Sequence, residues 1–150
     1  MVRTDEELKS MVKEITLEIE SRLENVPLVG LAVKEICYHF LPEIDPHKME
    51  LCVVEACTNV IRHAYEGREG KRVKVLLTIF PDRVVFEVSD TGRAMEPQHL
   101  HAPAPDLSKV EELPERGLGL QIIKEVMDEV QYRSSEEGNT LIMTKIVEGG

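Results

Sequence analysis

Three polar side chains, Glu55, Asn59 and His63, follow one another at four-residue intervals. Residues four apart lie on the same face of an α-helix, so this spacing predicts a polar stripe along one helix. An amide oxygen can coordinate Mg²⁺, and a carboxylate one turn away can orient a nucleophile or accept its proton, as phosphoryl transfer requires. Taken alone, the spacing favours the simpler interpretation of a solvated helix face with incidental polar residues.

A carboxylate stands at the end of a predicted strand. Asp90 follows the apolar run that ends at Val88 and Ser89, and Gly92, which permits a close approach of the backbone, comes two residues later. A carboxylate there can accept a hydrogen bond from the exocyclic amine of adenine. Taken alone, Asp-Thr-Gly is more typical of an ordinary turn after a strand.

The glycine segment Arg116-Gly117-Leu118-Gly119 stands immediately before an apolar helical pattern. Backbone N–H groups and the helix dipole can receive phosphate at such a place, although a plain turn explains so short a segment equally well. A later segment, Gly138-Asn139-Thr140, leads into a final predicted strand and by itself indicates a hairpin turn.

Alternating and helical hydrophobic patterns predict the elements that position these residues. The predicted strands are Ile15–Ser21 at an edge, Arg72–Phe80, Val84–Ser89, Glu129–Ser134 and Thr140–Val147. The predicted helices are Pro27–Phe40, a second that opens at Asp45-Pro46 and runs to about Tyr65, and a third after Gly119. This order predicts an α+β fold, a two-layer sandwich whose mixed, mostly antiparallel sheet is covered on one face by about three helices.

The composition limits the possible classes of function. We expect one domain of 150 residues, with an N-terminal extension at 1–14 and a long connection at about 91–116 that we interpret as a lid. A net charge of -10 argues against direct contact with nucleic acid. No apolar stretch is long enough to span a membrane, so we expect a cytoplasmic protein. Cys37, Cys52 and Cys57 lie in apolar helical patterns and are predicted to be buried thiols.

Taken together, the four polar segments resemble the GHKL (histidine-kinase-like, or Bergerat-fold) ATPases from about Leu17 to Lys145. The segment Met49–Tyr65, MELCVVEACTNVIRHAY, resembles the N box of that superfamily. The segment RGLGLQIIKEVMDEVQY and the later GNTLIMTK are especially similar to the anti-sigma-factor serine kinases.

The resemblance implies ATP and Mg²⁺ as cofactors and a role for each matching residue. In the N box, it implies that Glu55 is the catalytic base and that Asn59 is the Mg²⁺ ligand, with His63 beside them in the nucleotide site. In the first glycine box it implies an adenine-reading Asp90, with Gly92.

The matches further along the chain imply contacts to the nucleotide. The second glycine box implies backbone contacts from Gly117, Leu118 and Gly119 to the phosphates, and Thr140 matches a position of the adenine pocket. Two positions depart from the usual boxes, since Ala94 and Arg116 stand where glycines are common. Arg116 either blocks the packing of the lid or places its guanidinium on the β- or γ-phosphate, and we favour the phosphate contact.

The implied function is that of an anti-sigma-factor serine/threonine-protein kinase. Such a kinase phosphorylates a serine on an anti-anti-sigma (STAS-type) antagonist and so controls a sigma factor, and thereby transcription, by partner switching; the resemblance also implies a homodimer. An ATP-gated binding module without phosphotransfer remains the alternative. The 14 residues before the first strand argue against a detached sensor-kinase domain. His99 and His101 are predicted to be exposed and not to form a metal pair.

Overall fold

Five strands form one antiparallel sheet in the computed structural model, which describes residues 4, 12–96 and 115–147 and, at 115–118, the backbone alone. The strands are β1 (Lys13–Glu20), β2 (Arg72–Ile79), β3 (Arg83–Asp90), β4 (Glu129–Ser135) and β5 (Gly138–Ile146). Their order is β1-β2-β3-β5-β4, and every neighbouring pair is antiparallel. The prediction of a mostly antiparallel sheet with β1 at an edge is confirmed.

Buried and partly exposed residues alternate along the central strands, so the sheet has one buried face and one more open face. On β3 the buried row is Val84, Phe86, Val88 and Asp90, while the residues between them are half-exposed. Successive side chains of a strand point to opposite faces, so this row faces the helices and continues directly into the candidate carboxylate. Burial of the apolar members of the row therefore fixes the direction in which Asp90 points.

Three α-helices cover the buried face among the described residues. They are α1 (Val26–Phe40), preceded by a short 3₁₀ helix at Leu23–Asn25, α2 (Pro46–Asn59) and α3 (Glu115–Val126). The predicted start of α2 is confirmed, because the Asp45 carboxylate accepts a hydrogen bond of 2.9 Å from the backbone N–H of His47 and Pro46 occupies the first turn. This cap sets where the helix that carries Glu55 and Asn59 begins.

The α-helical hydrogen-bonding pattern of α2 ends earlier than predicted. Instead of continuing to about Tyr65, the chain forms a π-helical turn at Val60–Ala64, and the N–H of Tyr65 donates to the carbonyl of Val60 at 2.9 Å. One residue more per turn changes the direction of the side chains that follow, so Asn59 and His63 no longer stand in strict α-helical register. Such turns are frequent at functional sites.

The helices pack closely on each other and on the sheet. A Cβ on Gly30 of α1 would lie 2.7 Å from a methyl group of Val54 on α2, so only a glycine allows the two helices to approach this closely. Cys37, Cys52 and Cys57 are buried, as predicted, and burial raises the pKa of their thiols to about 12, 11 and 12, respectively. We interpret them as parts of the core.

Several expectations from the sequence concern residues beyond the described ranges. Most of the predicted lid, including His99 and His101, lies outside the described residues, and so does most of the N-terminal extension. Within the described ranges, none of the helices has the length and apolar character that a membrane span needs.

Candidate functional site

Asp90 lies at the floor of a cleft between the sheet and the helices. Its side chain is only 7% exposed, and it ends the buried row of β3. Oδ1 accepts two hydrogen bonds, one of 2.9 Å from the N–H of Gly92 and one of 2.8 Å from Nδ2 of Asn139. A buried carboxylate needs such donors, because an unpaired charge away from water is costly.

Asn139 is a site residue that the sequence analysis missed. It is 4% exposed and stands directly opposite Asp90 in the β3–β5 ladder. The sequence pattern of Gly138-Asn139-Thr140 indicates a hairpin turn that leads into a strand, and the family resemblance singles out Thr140 and not Asn139. Residues two apart on a strand point to the same face, so Asn139 shares a face with the apolar Leu141 and Met143. This pattern places it on the buried face and could have identified it.

The expected position of Thr140 in the adenine pocket is wrong in this structure. Thr140 lies on the opposite face of the sheet, where its hydroxyl is 3.1 Å from the hydroxyl of Ser89. The neighbours Asn139 and Leu141 point to the helical side, and an offset of one residue along a strand exchanges the two faces. Thr140 lines a shallow groove on the open face and not the cleft above Asp90.

Gly92 allows the loop after β3 to lie against the π-helical turn. A Cβ at this position would be 2.4 Å from the carbonyl oxygen of Ala64, and the N–H of the next residue, Arg93, donates to that same oxygen at 2.8 Å. The Tyr65 hydroxyl accepts a hydrogen bond of 2.9 Å from the N–H of Thr91. These contacts hold the end of β3, and with it Asp90, beside the end of α2.

The cleft above Asp90 opens to solvent, and its empty space of about 730 Å³ includes part of that open solvent. Its walls are mostly apolar, formed by Ala56, Val60, Val88, Leu120 and Leu141. Asn59 and His63 also line it, so three of the predicted site residues meet around one space. A mostly apolar slot with few polar groups suits a flat aromatic ligand.

Tyr132 of β4 is a second lining residue that the sequence analysis missed. Its hydroxyl accepts a hydrogen bond of 2.8 Å from the N–H of Met95, and both residues line the cleft. This bond ties the first residues after Gly92 to the edge of the sheet. Alternation along the mostly polar β4 carries little hydrophobic signal, so the sequence gives few grounds for selecting Tyr132.

Glu55 lies beside Asn59 but does not line the cleft itself. A Cβ on Gly119 of α3 would be 2.7 Å from Oε2 of Glu55 and 3.3 Å from Nδ2 of Asn59. The backbone of α3 therefore crosses α2 at the two residues that were predicted to act on the nucleotide. A larger residue at this crossing would push the Glu55 carboxylate aside and shift the Asn59 amide slightly.

The prediction that the glycine segment precedes the third helix is wrong. Within the described residues α3 runs from Glu115, so Gly117 and Gly119 both lie inside the helix, and at Gly119 the helix uses the N–H itself. A glycine inside a helix costs only about 1 kcal/mol, and the close contact with Glu55 explains its presence. The side chains of Arg116 and Leu118 lie outside the described part of the chain.

Comparison with known proteins identifies the family. Residues 19–145 match the model of the histidine kinase-like ATPase domain. The chain belongs to this ATPase family. It is 31% identical over 140 residues to the serine-protein kinases RsbW of Bacillus cereus strain Q1 and Bacillus anthracis, an alignment that covers 91% of this chain and 86% of each relative. The resemblance to the GHKL ATPases and their serine kinases is confirmed.

A solved structure supports the same fold for this ATPase domain. The histidine kinase domain from the Erythrobacter litoralis EL346 blue-light activated histidine kinase superposes with a TM-score of 0.51 at 15% sequence identity. The superposition covers 86% of this chain and 62% of that structure, so the chain spans less than two thirds of it. At this level of identity the similarity concerns the fold alone, and it confirms the predicted α+β class.

Burial dominates the electrostatics of the cleft in this ATPase domain. Burial raises the pKa of Asp90, and the hydrogen bonds from Asn139 and Gly92 act in the opposite direction by favouring the charged form. Burial also raises the pKa of Tyr132, and the nearby charge of Asp90 contributes to that increase. The floor of the cleft thus presents a carboxylate acceptor that is costly to leave unpaired.

We expect Gly92→Ala to damage both the fold and the site. The new methyl group would meet backbone atoms of Ala64, which cannot rotate away, so the free energy of unfolding should fall by about 1–3 kcal/mol. Because the displaced loop holds the end of β3 and with it Asp90, the affinity for ATP should fall as well. Urea denaturation and calorimetric titration of the purified variant measure the two effects.

The matched control for this change is Gly67→Ala. Gly67 has a φ of +78° and nothing within 4 Å of its virtual Cβ, so alanine there costs only about 1 kcal/mol of backbone strain. The control should bind ATP normally. Normal ATP binding by Gly92→Ala would show that the close contact does not position Asp90.

Proposed function

We propose that the chain is a serine-protein kinase that binds Mg·ATP in this cleft. The observation that carries the proposal is the meeting of three predicted groups: Asp90 and Asn59 line one cleft, and Glu55 lies beside Asn59 against α3. The relatives that are named serine-protein kinases support the same activity. In this proposal the adenine lies on the apolar walls, and its exocyclic amine donates to Asp90.

The phosphates would extend from the adenine toward Asn59 and the N-terminus of α3. Gly117 lies in the first described turn of that helix, and we propose that this turn offers free N–H groups and a helix dipole that favours negative charge. We propose that the backbone N–H groups of Leu118 and Gly119 also contact the phosphates. The contact from Gly119 requires that this part of α3 open when the nucleotide binds. Arg116 remains the candidate for a direct phosphate contact, and His63 for a polar contact in the same cleft.

The residues near Asn59 fit a magnesium ion that is bound largely by the nucleotide. Among the described residues, no group of three or more His, Cys, Asp or Glu side chains gathers to form a separate metal cage. Mg²⁺ in kinases commonly takes one or two protein ligands and completes its shell with phosphates and water. The Asn59 side-chain oxygen would hold the ion, which neutralises the charge that develops on the phosphates.

Glu55 would accept the proton of the attacking hydroxyl. We propose that the hydroxyl belongs to a serine of an anti-anti-sigma (STAS-type) protein, that the chain also binds a sigma factor, and that phosphorylation switches it between these partners. Following the family resemblance, we also propose a homodimer, a cytoplasmic location and a single domain with a lid at about 91–116.

One observation favours the alternative of an ATP-gated binding module. Glu55 lies against the backbone of α3 and outside the lining of the cleft, so we infer that α3 moves before a substrate hydroxyl in the cleft reaches the carboxylate. If α3 keeps this position when ATP is bound, the chain can still bind partners but cannot transfer phosphate. The kinase therefore needs the Glu55 carboxylate for phosphate transfer, whereas the binding module does not need it.

We expect Asn59→Ala to weaken ATP binding through the metal. The loss of affinity for ATP should be large in Mg²⁺ and small in EDTA, because the Asn59 side chain would contact the metal ion and not the adenine ring. Calorimetric titration under both conditions measures the difference, with Lys48→Ala, an exposed change on the same helix, as the control. If the domain unfolds, or if affinity falls equally with and without metal, Asn59 is a structural amide.

We expect Glu55→Gln to separate chemistry from binding. Glutamine keeps the shape of the side chain but removes the base, so Mg·ATP binding should be nearly normal while phosphorylation of the antagonist falls by about 10² to 10⁴. Transfer of radiolabelled phosphate from ATP to the purified antagonist measures this rate. Sigma-factor binding should persist.

Glu50→Gln is the matched control, since it changes a half-buried glutamate five residues earlier on the same helix. It should transfer phosphate at the normal rate. The kinase proposal fails if the unmodified protein transfers no phosphate to any cognate antagonist while still binding partners in an ATP-dependent way, and the binding-module function then replaces it.

A further inference from the structure

Asn139 makes more hydrogen bonds to the site than structural closure of a hairpin requires. Its Nδ2 donates to Oδ1 of Asp90 at 2.8 Å and to the carbonyl of Gly92 at 3.0 Å, while its Oδ1 accepts from the hydroxyl of Ser134 at 2.7 Å. The side chain is 4% exposed, and it links β3, β4, β5 and the loop after β3. Each of its polar atoms has a partner.

These partners allow only one orientation of the amide. Two acceptors face the nitrogen and one hydroxyl faces the oxygen, so rotating the amide by 180° would place its oxygen against a carboxylate and a carbonyl. Ser134 stands opposite Asn139 in the β4–β5 ladder, which keeps its hydroxyl within reach. These hydrogen bonds therefore fix Nδ2 of Asn139 toward Asp90.

Both donors to Asp90 bind the same oxygen. The N–H of Gly92 and Nδ2 of Asn139 both donate to Oδ1, and Oδ2 takes part in neither bond. Among the described residues, no fully buried side-chain nitrogen or oxygen lacks a partner. Since Asp90 lines the cleft, Oδ2 is the oxygen left to a ligand. It can only accept a hydrogen bond while the carboxylate is charged.

We propose that Asn139 is a positioning residue that sets the base specificity of the cleft, by holding Oδ1 of Asp90 so that Oδ2 faces the 6-amino group of adenine. The proposal rests on the proposed ATP site and adds to it the group that aims the carboxylate. A ligand with a hydrogen-bond donor at position 6 of the purine is favoured, and one with an acceptor there meets an acceptor.

A purely structural role for Asn139 predicts a different result from a positioning role. If the amide only closes the β4–β5 hairpin and the loop at Gly92, its loss should weaken every purine nucleotide equally. If it aims Oδ2, its loss should weaken only those nucleotides that carry the 6-amino group. Purine riboside triphosphate lacks this group but is otherwise identical to ATP, so the ratio of the two affinities distinguishes the roles.

The test is calorimetric titration of the full chain with ATP and with purine riboside triphosphate. The unmodified protein should bind ATP about tenfold or more tightly, as expected for a hydrogen bond to a charged group. Asn139→Ala should lose most of this preference, while its affinity for purine riboside triphosphate stays within about twofold of the original. Asn139→Thr retains one hydroxyl donor and should keep an intermediate preference, which also provides the test if the alanine variant does not fold.

Ser89→Ala is the matched control, because it removes a hydroxyl next to Asp90 on the opposite face of the sheet. It should retain the full preference for ATP. Equal losses for both nucleotides in the Asn139 variants, or an unmodified protein that binds both equally, would overturn the positioning role while leaving the ATP site in place. Failure of the unmodified protein to bind either nucleotide would overturn the ATP site and this inference together.

Discussion

The site depends on the burial of one carboxylate. Removing the charge of Asp90 from water is unfavourable, and the fold offsets this cost with two donors placed on a single oxygen. One donor requires that β5 lie beside β3 in a register that sets Asn139 opposite Asp90. The other requires a glycine at position 92, where the loop touches the π-helical turn that follows α2. The sheet register, the loop and the helix end are thus all constrained by the same side chain.

The two ends of the cleft are built from different layers. The sheet supplies the proposed base-binding end, where Asp90, Asn139 and Tyr132 are held by ladder and backbone hydrogen bonds. The helices supply the opposite end, where Asn59 lines the cleft and Glu55 lies just outside it, both against α3. Strand ladders hold their residues rigidly, whereas α3 packs on α2 through a single glycine at this point. In the proposed kinase cycle, the helical end therefore adjusts to the nucleotide, and the sheet end reads it.

Much of this arrangement could be predicted from the sequence, because strong local patterns encode it. Alternation along β3 and the Asp45-Pro46 cap of α2 placed Asp90 and Asn59 on the right elements. The π-helical turn after Asn59 could not be predicted, since one extra residue in a turn leaves no periodic signal. The family resemblance indicated Thr140, but the structure places its neighbour Asn139 at the cleft, because a one-residue offset reverses the face of a strand. The contact of Gly119 with Glu55 arises only when two helices pack. The sequence alone therefore indicated a glycine segment before the helix, and not a glycine inside it that permits close packing.

The central claim is that the cleft reads adenine through the charged oxygen of Asp90. Calorimetric titration of the unmodified protein and of Asp90→Asn with Mg·ATP and Mg·GTP tests it most directly. GTP presents a carbonyl oxygen where ATP presents an amine, so two acceptors would meet at a cost of about 1–3 kcal/mol. The account predicts clear preference of the unmodified protein for ATP, with weaker ATP binding and a reduced preference in Asp90→Asn. Equal affinity of the unmodified protein for the two nucleotides would contradict it.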